Sequence, residues 1–149
     1  MKINEIKDNL HPKLYKILSK KFKTLRPAQK KAVNSGLFER KNLLVCTPTA
    51  SGKTLIAEIA ALQGIYNNIG KAVYIVPLKA LASEKYEEFK QKYKDINVGI
   101  AIGDIDSGPR NLGRYDLLIS TSEKLDSLIR HRTSWLKNVS TIIIDEIHL

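Results

Sequence analysis

Leu43-Leu-Val-Cys-Thr-Pro-Thr-Ala-Ser-Gly-Lys-Thr54 is the stretch from which the rest of the chain can be read. Its apolar start predicts a strand over 42–46. A small-residue loop follows, and Gly-Lys-Thr opens a run rich in alanine and isoleucine that predicts a helix over 53–68. Strand, loop and helix in that order are the context a phosphate-binding loop requires. From Thr49 through Ala50, Ser51 and Gly52 to Thr54, successive backbone N–H groups can turn inward as an anion-binding nest, at the positive end of a helix dipole. Gly52 lets the backbone approach phosphate, Lys53 reaches the outer phosphate oxygens, and the Thr54 hydroxyl suits Mg²⁺. The usual G-x-x-x-x-G-K-[ST] pattern begins with Gly where this chain has Thr47, so a second motif is needed.

Thr141-Ile-Ile-Ile-Asp-Glu-Ile-His-Leu149 supplies it. A β-branched run closes on two adjacent carboxylates, as a buried parallel strand does when it presents acids at its carboxyl end, where ligands of open α/β sheets bind. Asp145 is placed to hold Mg²⁺ through water, and Glu146 to orient or deprotonate an attacking water. Either acid alone reads as a solvated strand end. With a phosphate loop upstream, the pair implies that the chain binds ATP or a nucleotide very like it.

Composition sets the bounds. The 149 residues suit one domain with room for a core, and 43% are apolar. No segment approaches the roughly 18 uninterrupted apolar residues of a membrane span, and the charged amino terminus has no signal-peptide core. The single cysteine, Cys46, falls inside the predicted strand. It reads as a small core residue of a reducing, intracellular, cytoplasmic protein. A net charge of +10, from 25 Lys and Arg against 15 Asp and Glu, attracts polyanions, nucleic acid among them.

Along the chain, Leu14, Ile17 and Leu18 have helical spacing within 11–22, with Pro12 tolerated in the first turn. His11 reads as a solvated first-turn residue. A second short helix runs from Pro27 to about Leu37. On it, Gln29 is either a surface residue or a reader of the adenine edge, since its amide both donates and accepts. Residues 71–76 predict a strand, Pro77-Leu-Lys-Ala-Leu81 a turn, and 79–94 a helix whose first amides, with Lys79, offer another place for phosphate. A short strand over 97–102 precedes the loop 103–113, whose Asp104 and Asp106 read as solvated turn acids. Residues 116–120 are strand again. Ser120 with Glu123 forms a capping box for a helix to Arg130, and Arg130-His-Arg132 suits that helix's carboxyl end or a phosphate. Trp135 reads as core. Strands near 42–46, 71–76, 97–102, 116–120 and 141–145 alternate with helices, which argues an α/β fold, a parallel sheet with helices on both faces.

Four stretches together resemble one family. Thr47-Pro-Thr-Ala-Ser-Gly-Lys-Thr54, Pro77-Leu-Lys-Ala-Leu81, Thr121-Ser-Glu-Lys-Leu-Asp126 and Asp145-Glu-Ile-His-Leu149 look like motifs I, Ia, Ib and II of superfamily 2 helicases. The Asp-Glu-x-His form, Leu25-Arg-Pro-Ala-Gln29 and the Gly103-Asp104 step are similar to the superkiller-like branch, and within it to archaeal Hjm-type DNA repair helicases. The resemblance implies a RecA-like first motor domain that hydrolyses ATP, with Mg²⁺, while moving along single-stranded or forked nucleic acid, DNA before RNA. It implies adenine reading for Gln29, and phosphate and Mg²⁺ work for Lys53, Thr54, Asp145 and Glu146. It puts Lys79, Gly103, Asp104 and Thr121 on the strand-binding face, and gives His148 a coupling role toward a partner motor domain.

The chain stops at Leu149, directly after motif II. The resemblance therefore implies that a coupling motif and a second RecA-like domain with its arginine finger are missing. Such an arginine is worth ~10³–10⁵ in rate, so the piece alone is expected to be a weak ATPase and no unwinder. The competing readings are an RNA helicase of the same branch, a P-loop phosphotransferase, and an ATP- or nucleic-acid-sensing module without turnover.

Overall fold

The computed structural model describes residues 1–48, 51–103, 109–131 and 134–147, with the backbone alone for 109–111. Two compact units, Met1–Asn67 and Asn68–Leu149, divide the chain.

The first unit is helical. A 3₁₀ turn, Ile3–Ile6, precedes α1 (Pro12–Lys21), α2 (Pro27–Asn34) and α3 (Lys53–Tyr66). Pro12 and Pro27 each stand at the start of a helix, where a missing N–H costs nothing. Leu14 and Leu18 of α1, Ala32 of α2, and Leu55, Ile59 and Leu62 of α3 are buried, and α1 and α2 both pack on α3. Burying each such Leu or Ile contributes ~1.5–3 kcal/mol before entropy is counted. His11 is not the solvated residue expected. It caps α1, its Nδ1 accepting from Lys13 N at 3.2 Å. Its own N–H donates to Gln63 Oε1 at 2.7 Å, and its ring stacks on Tyr66 with centroids 5.2 Å apart.

The strand expected over 42–46 is absent. Residues 41–48 form neither helix nor strand, and Leu44 is 74% exposed. Cys46, expected in the core, is exposed as well. A strand needs a ladder partner, and apolar composition by itself provides none.

The second unit is a four-stranded sheet with its helices: β1 (Lys71–Val76), α4 (Lys79–Lys92), β2 (Val98–Ala101), β3 (Leu117–Thr121), α5 (Ser122–Arg130) and β4 (Val139–Ile144). The strand order is β2-β3-β1-β4, and every pairing is parallel. Both faces of the central strands are buried, which is why they read as unbroken apolar runs. On one face Tyr74 of β1 meets Phe89 of α4, and Phe89 meets Tyr93. On the other, Val73, Ile75 and Leu118 pack with Leu112, Leu128 of α5 and Trp135. Trp135 lies in the core as expected, on a 3₁₀ turn, Ser134–Asn138. A further 3₁₀ turn, Pro109–Arg114, closes the predicted loop.

Two local expectations are corrected. The residue capping α5 is Thr121, not Ser120; the Ser120 hydroxyl is fully buried and donates to Thr121 O at 3.0 Å. Among the described residues β4 is an edge strand, and its Ile142 and Ile144 are each 60% exposed.

Candidate functional site

The phosphate loop is built within the first unit. Gly52 adopts a left-handed conformation, φ 86° and ψ 24°, and heads α3. Lys53 and Thr54 are therefore the first two residues of a 14-residue helix, where N–H groups lack intrahelical partners and the dipole favours an anion. A side chain at Gly52 is excluded twice: by its positive φ, and because a Cβ would stand 2.3 Å from Gln29 Nε2. Thr47 and Ser51 hydroxyls are hydrogen-bonded to each other across the loop. Thr47 thus replaces the expected glycine with a side chain that ties the loop's two ends. Thr49 and Ala50 lie outside the described residues.

Gln29 is not a surface residue; it is 3% exposed. Its Oε1 accepts from Arg26 N at 2.8 Å, closing the first turn of α2, and its Nε2 donates to Gly52 O at 3.0 Å. An amide carries a second lone pair and a second N–H, so among the described residues each end of Gln29 keeps one further hydrogen-bonding position.

In the second unit, parallel pairing brings every strand's carboxyl end to one edge of the sheet. Gly103 follows β2, Thr121 ends β3, Lys79 follows β1 and Asp145 follows β4. With strands ~4.8 Å apart, Gly103 and Asp145 are separated by about 14 Å across that edge. Lys79 is the first residue of α4 and is exposed. Its Nζ lies 3.5 Å from where a Cβ on Gly103 would stand, and Gly103 has φ 73°. Lys79 therefore reaches over β3 to the end of β2. Thr121, at the end of the intervening β3, is 2% exposed. Arg130 is not part of this grouping. It ends α5, about 13 Å along the helix from Thr121, and pairs with Asp126 at 3.0 Å. Asp104 and His148 lie outside the described residues.

Asp145 continues the ladder, its N–H donating to Ile75 O at 2.9 Å. Its Oδ1 accepts from Glu146 N at 2.9 Å, and its Oδ2 from the Tyr74 hydroxyl at 2.7 Å. Glu146 sits at φ 55°, as Arg40 and Asn68 sit at 59° and 57°, a conformation that costs a non-glycine residue ~1–3 kcal/mol. Neither the Tyr74 contact nor the Glu146 backbone carries a signal in the sequence.

The donors suit a small hard cation. Each unit by itself offers one oxygen donor of the kind Mg²⁺ prefers, the Thr54 hydroxyl in the first and the Asp145 carboxylate in the second, and that ion is ordinarily held by one or two such groups together with phosphates. Among the described residues no group of three or more His, Cys, Asp or Glu could hold a metal unaided. None of their helices is long and apolar enough to cross a membrane.

Known proteins fit this architecture. The chain is 51% identical over 151 aligned positions to the ATP-dependent DNA helicase Hel308 of Pyrococcus abyssi, covering 100% of this chain and 21% of that protein. Against the protein of the same name from Methanococcus vannielii it is 54% identical over 133 positions, 84% of this chain and 18% of the other. The chain thus spans about a fifth of the length of these curated relatives. Its fold matches the crystal structure of the DUF1998 helicase MrfA with a TM-score of 0.80 at 28% identity, over 93% of this chain and 24% of that one. The same helicase bound to DNA and AMPPNP matches with a TM-score of 0.79 at 29% identity, over 95% and 21%. These likenesses give the α/β sheet its place among RecA-like folds. The DEAD/DEAH box helicase family matches residues 26–149, and the chain belongs to that family.

Proposed function

We propose that this chain is the nucleotide-binding part of an ATP-dependent DNA helicase, a motor that couples ATP hydrolysis to movement along single-stranded or forked DNA. The observation that carries the reading is the left-handed Gly52 at the head of α3, with Lys53 and Thr54 in the first turn. That arrangement sets a helix N-terminus, with its dipole and first-turn N–H groups, next to a lysine, which suits a phosphate chain. Gln29, its amide already oriented, supplies the adenine contact.

Each residue has a task in the hydrolysis. Lys53 offsets charge on the outer phosphate oxygens, and Thr54 and Asp145 are the residues that would hold Mg²⁺. When bound, Mg²⁺ would neutralise charge that develops as the terminal phosphoryl group transfers. Glu146 orients the attacking water and takes its proton as the oxygen bonds to phosphorus and ADP departs. Lys79, Gly103, Asp104 and Thr121 line the strand-binding face, where basic groups and backbone donors meet phosphates. The net charge of +10 favours the encounter. His148 serves coupling. The second motor domain and its arginine finger are taken to lie outside these residues, and a cytoplasmic location accompanies a DNA substrate.

Turnover of ATP by the full-length gene product, with and without single-stranded DNA and single-stranded RNA, tests the proposal. Strong stimulation by DNA alone is expected. Equal stimulation by RNA would move the protein to the RNA-processing relatives. Stimulation by neither would overturn the helicase reading and leave the phosphate loop standing.

A further inference from the structure

Tyr74 is fully buried in the middle of β1. Its side chain leaves the sheet on the α4 face, with Phe89 at a centroid distance of 5.5 Å and an interplanar angle of 60°. Tyr74 is in register with Ile143 of β4. Side chains alternate along a strand, so Asp145, two residues beyond Ile143, belongs to the same face. The phenol crosses diagonally to the neighbouring strand's carboxyl end, and its hydroxyl donates to Asp145 Oδ2 at 2.7 Å. A buried tyrosine needs a partner for its hydroxyl; here the Asp145 carboxylate, just past the end of β4, is one.

We infer that Tyr74 is a positioning residue for Asp145, setting the orientation in which that carboxylate meets the metal–nucleotide. The inference rests on the reading of Asp145 as a Mg²⁺-holding group. An ionised carboxylate has about four acceptor sites. The Tyr74 hydroxyl and the Glu146 N–H each take one, on different oxygens, while Asp145 N is held by Ile75 O. The plane of the carboxylate is thereby pinned by two hydrogen bonds, its backbone by a third, and among the described residues one site on each oxygen remains. The ring packs beside Phe89, itself 1% exposed. Hydrogen bonds that orient a metal-holding group are worth ~10–100-fold in metal affinity or activity when removed.

The experiment is direct Mn²⁺ binding, read by electron paramagnetic resonance in the presence of a non-hydrolysable ATP analogue, on the full-length gene product. Tyr74→Phe keeps the ring and removes only the hydroxyl. It is expected to weaken Mn²⁺ binding ~10–100-fold and to raise the Mg²⁺ concentration needed for half-maximal ATPase. 4-Aminophenylalanine placed at Tyr74 keeps an N–H donor and is expected to restore affinity. Phe89→Leu, which leaves the hydroxyl in place, is expected to lower the melting temperature with Mn²⁺ affinity retained, separating packing from positioning. Asp145→Asn alone should weaken Mn²⁺, and Tyr74→Phe should add nothing to it. Additive losses, or Mn²⁺ affinity within twofold of wild type in Tyr74→Phe, would overturn the positioning role. If Asp145→Asn itself leaves Mn²⁺ binding intact, the underlying reading of Asp145 fails instead.

Discussion

Gln29 Nε2 donates to Gly52 O at 3.0 Å while Gln29 Oε1 accepts from Arg26 N at 2.8 Å, so one buried amide joins the start of α2 to the head of the phosphate loop. A residue proposed to recognise a base is thus also a structural clamp, and its two tasks use different positions of the same amide. Gln29→Ala is expected to lose both hydrogen bonds, at about 1 kcal/mol each, and to erase any preference for ATP over GTP. Thermal melting reads the first loss and competitive nucleotide binding the second. Unchanged ATP-over-GTP selectivity would remove the adenine role and leave the clamp.

Gly52→Ala tests the loop geometry. The left-handed φ of 86° and a Cβ position 2.3 Å from Gln29 Nε2 both oppose it. Destabilisation beyond ~1 kcal/mol is expected, with nucleotide affinity lost in parallel. A stable variant with normal affinity would mean that the loop relaxes freely around position 52.

Lys53→Ala should leave the melting temperature nearly unchanged and reduce ATP affinity through loss of a charge-assisted contact worth ~1.5–3 kcal/mol, or about 10–150-fold. Titration calorimetry checks it; equal affinity would sink the phosphate role of Lys53.

For Lys79, whose Nζ hangs over Gly103, the expected signature is electrostatic. Lys79→Ala should lower single-strand affinity across all sequences and reduce the salt slope by about one unit. A slope identical to wild type would place the phosphate contact elsewhere.

Glu146→Gln is expected to bind ATP normally and to stop turnover, since the amide cannot accept the proton from water. Glu146→Gly should behave alike in turnover yet melt higher, because glycine adopts φ 55° without strain. Retained hydrolysis in Glu146→Gln would remove it as the base.

The elements legible from the amino-acid order are those whose cause is local or periodic. β1 is found where its Val and Ile run lies, because a strand buried on both faces must be apolar throughout. α3 follows Gly-Lys-Thr, and Trp135 reads as core because its size demands burial. Asp145 and Glu146 are visible as the acids that close an isoleucine run. Less legible were the features that require a partner from elsewhere in the chain. Leu43 to Cys46 has the composition of a strand but joins no ladder here, so Leu44 and Cys46 stand exposed. His11 caps α1 and meets Gln63, 52 residues away.

The sequence alone determined the chemistry on offer: a phosphate loop, two acids at a strand end, and an excess of positive charge. Residue types and short spacings suffice for that, because a helix start or an alternating strand is defined within a few residues. Only the tertiary structure decided which groups act together. Tyr74 and Asp145 are 71 residues apart and meet because β1 and β4 lie side by side in parallel register. Lys79 approaches Gly103 because parallel strands deliver all their carboxyl ends to one edge. Such pairings follow from strand order and register, which depend on the energy of the whole packed sheet and not on any single stretch of the chain.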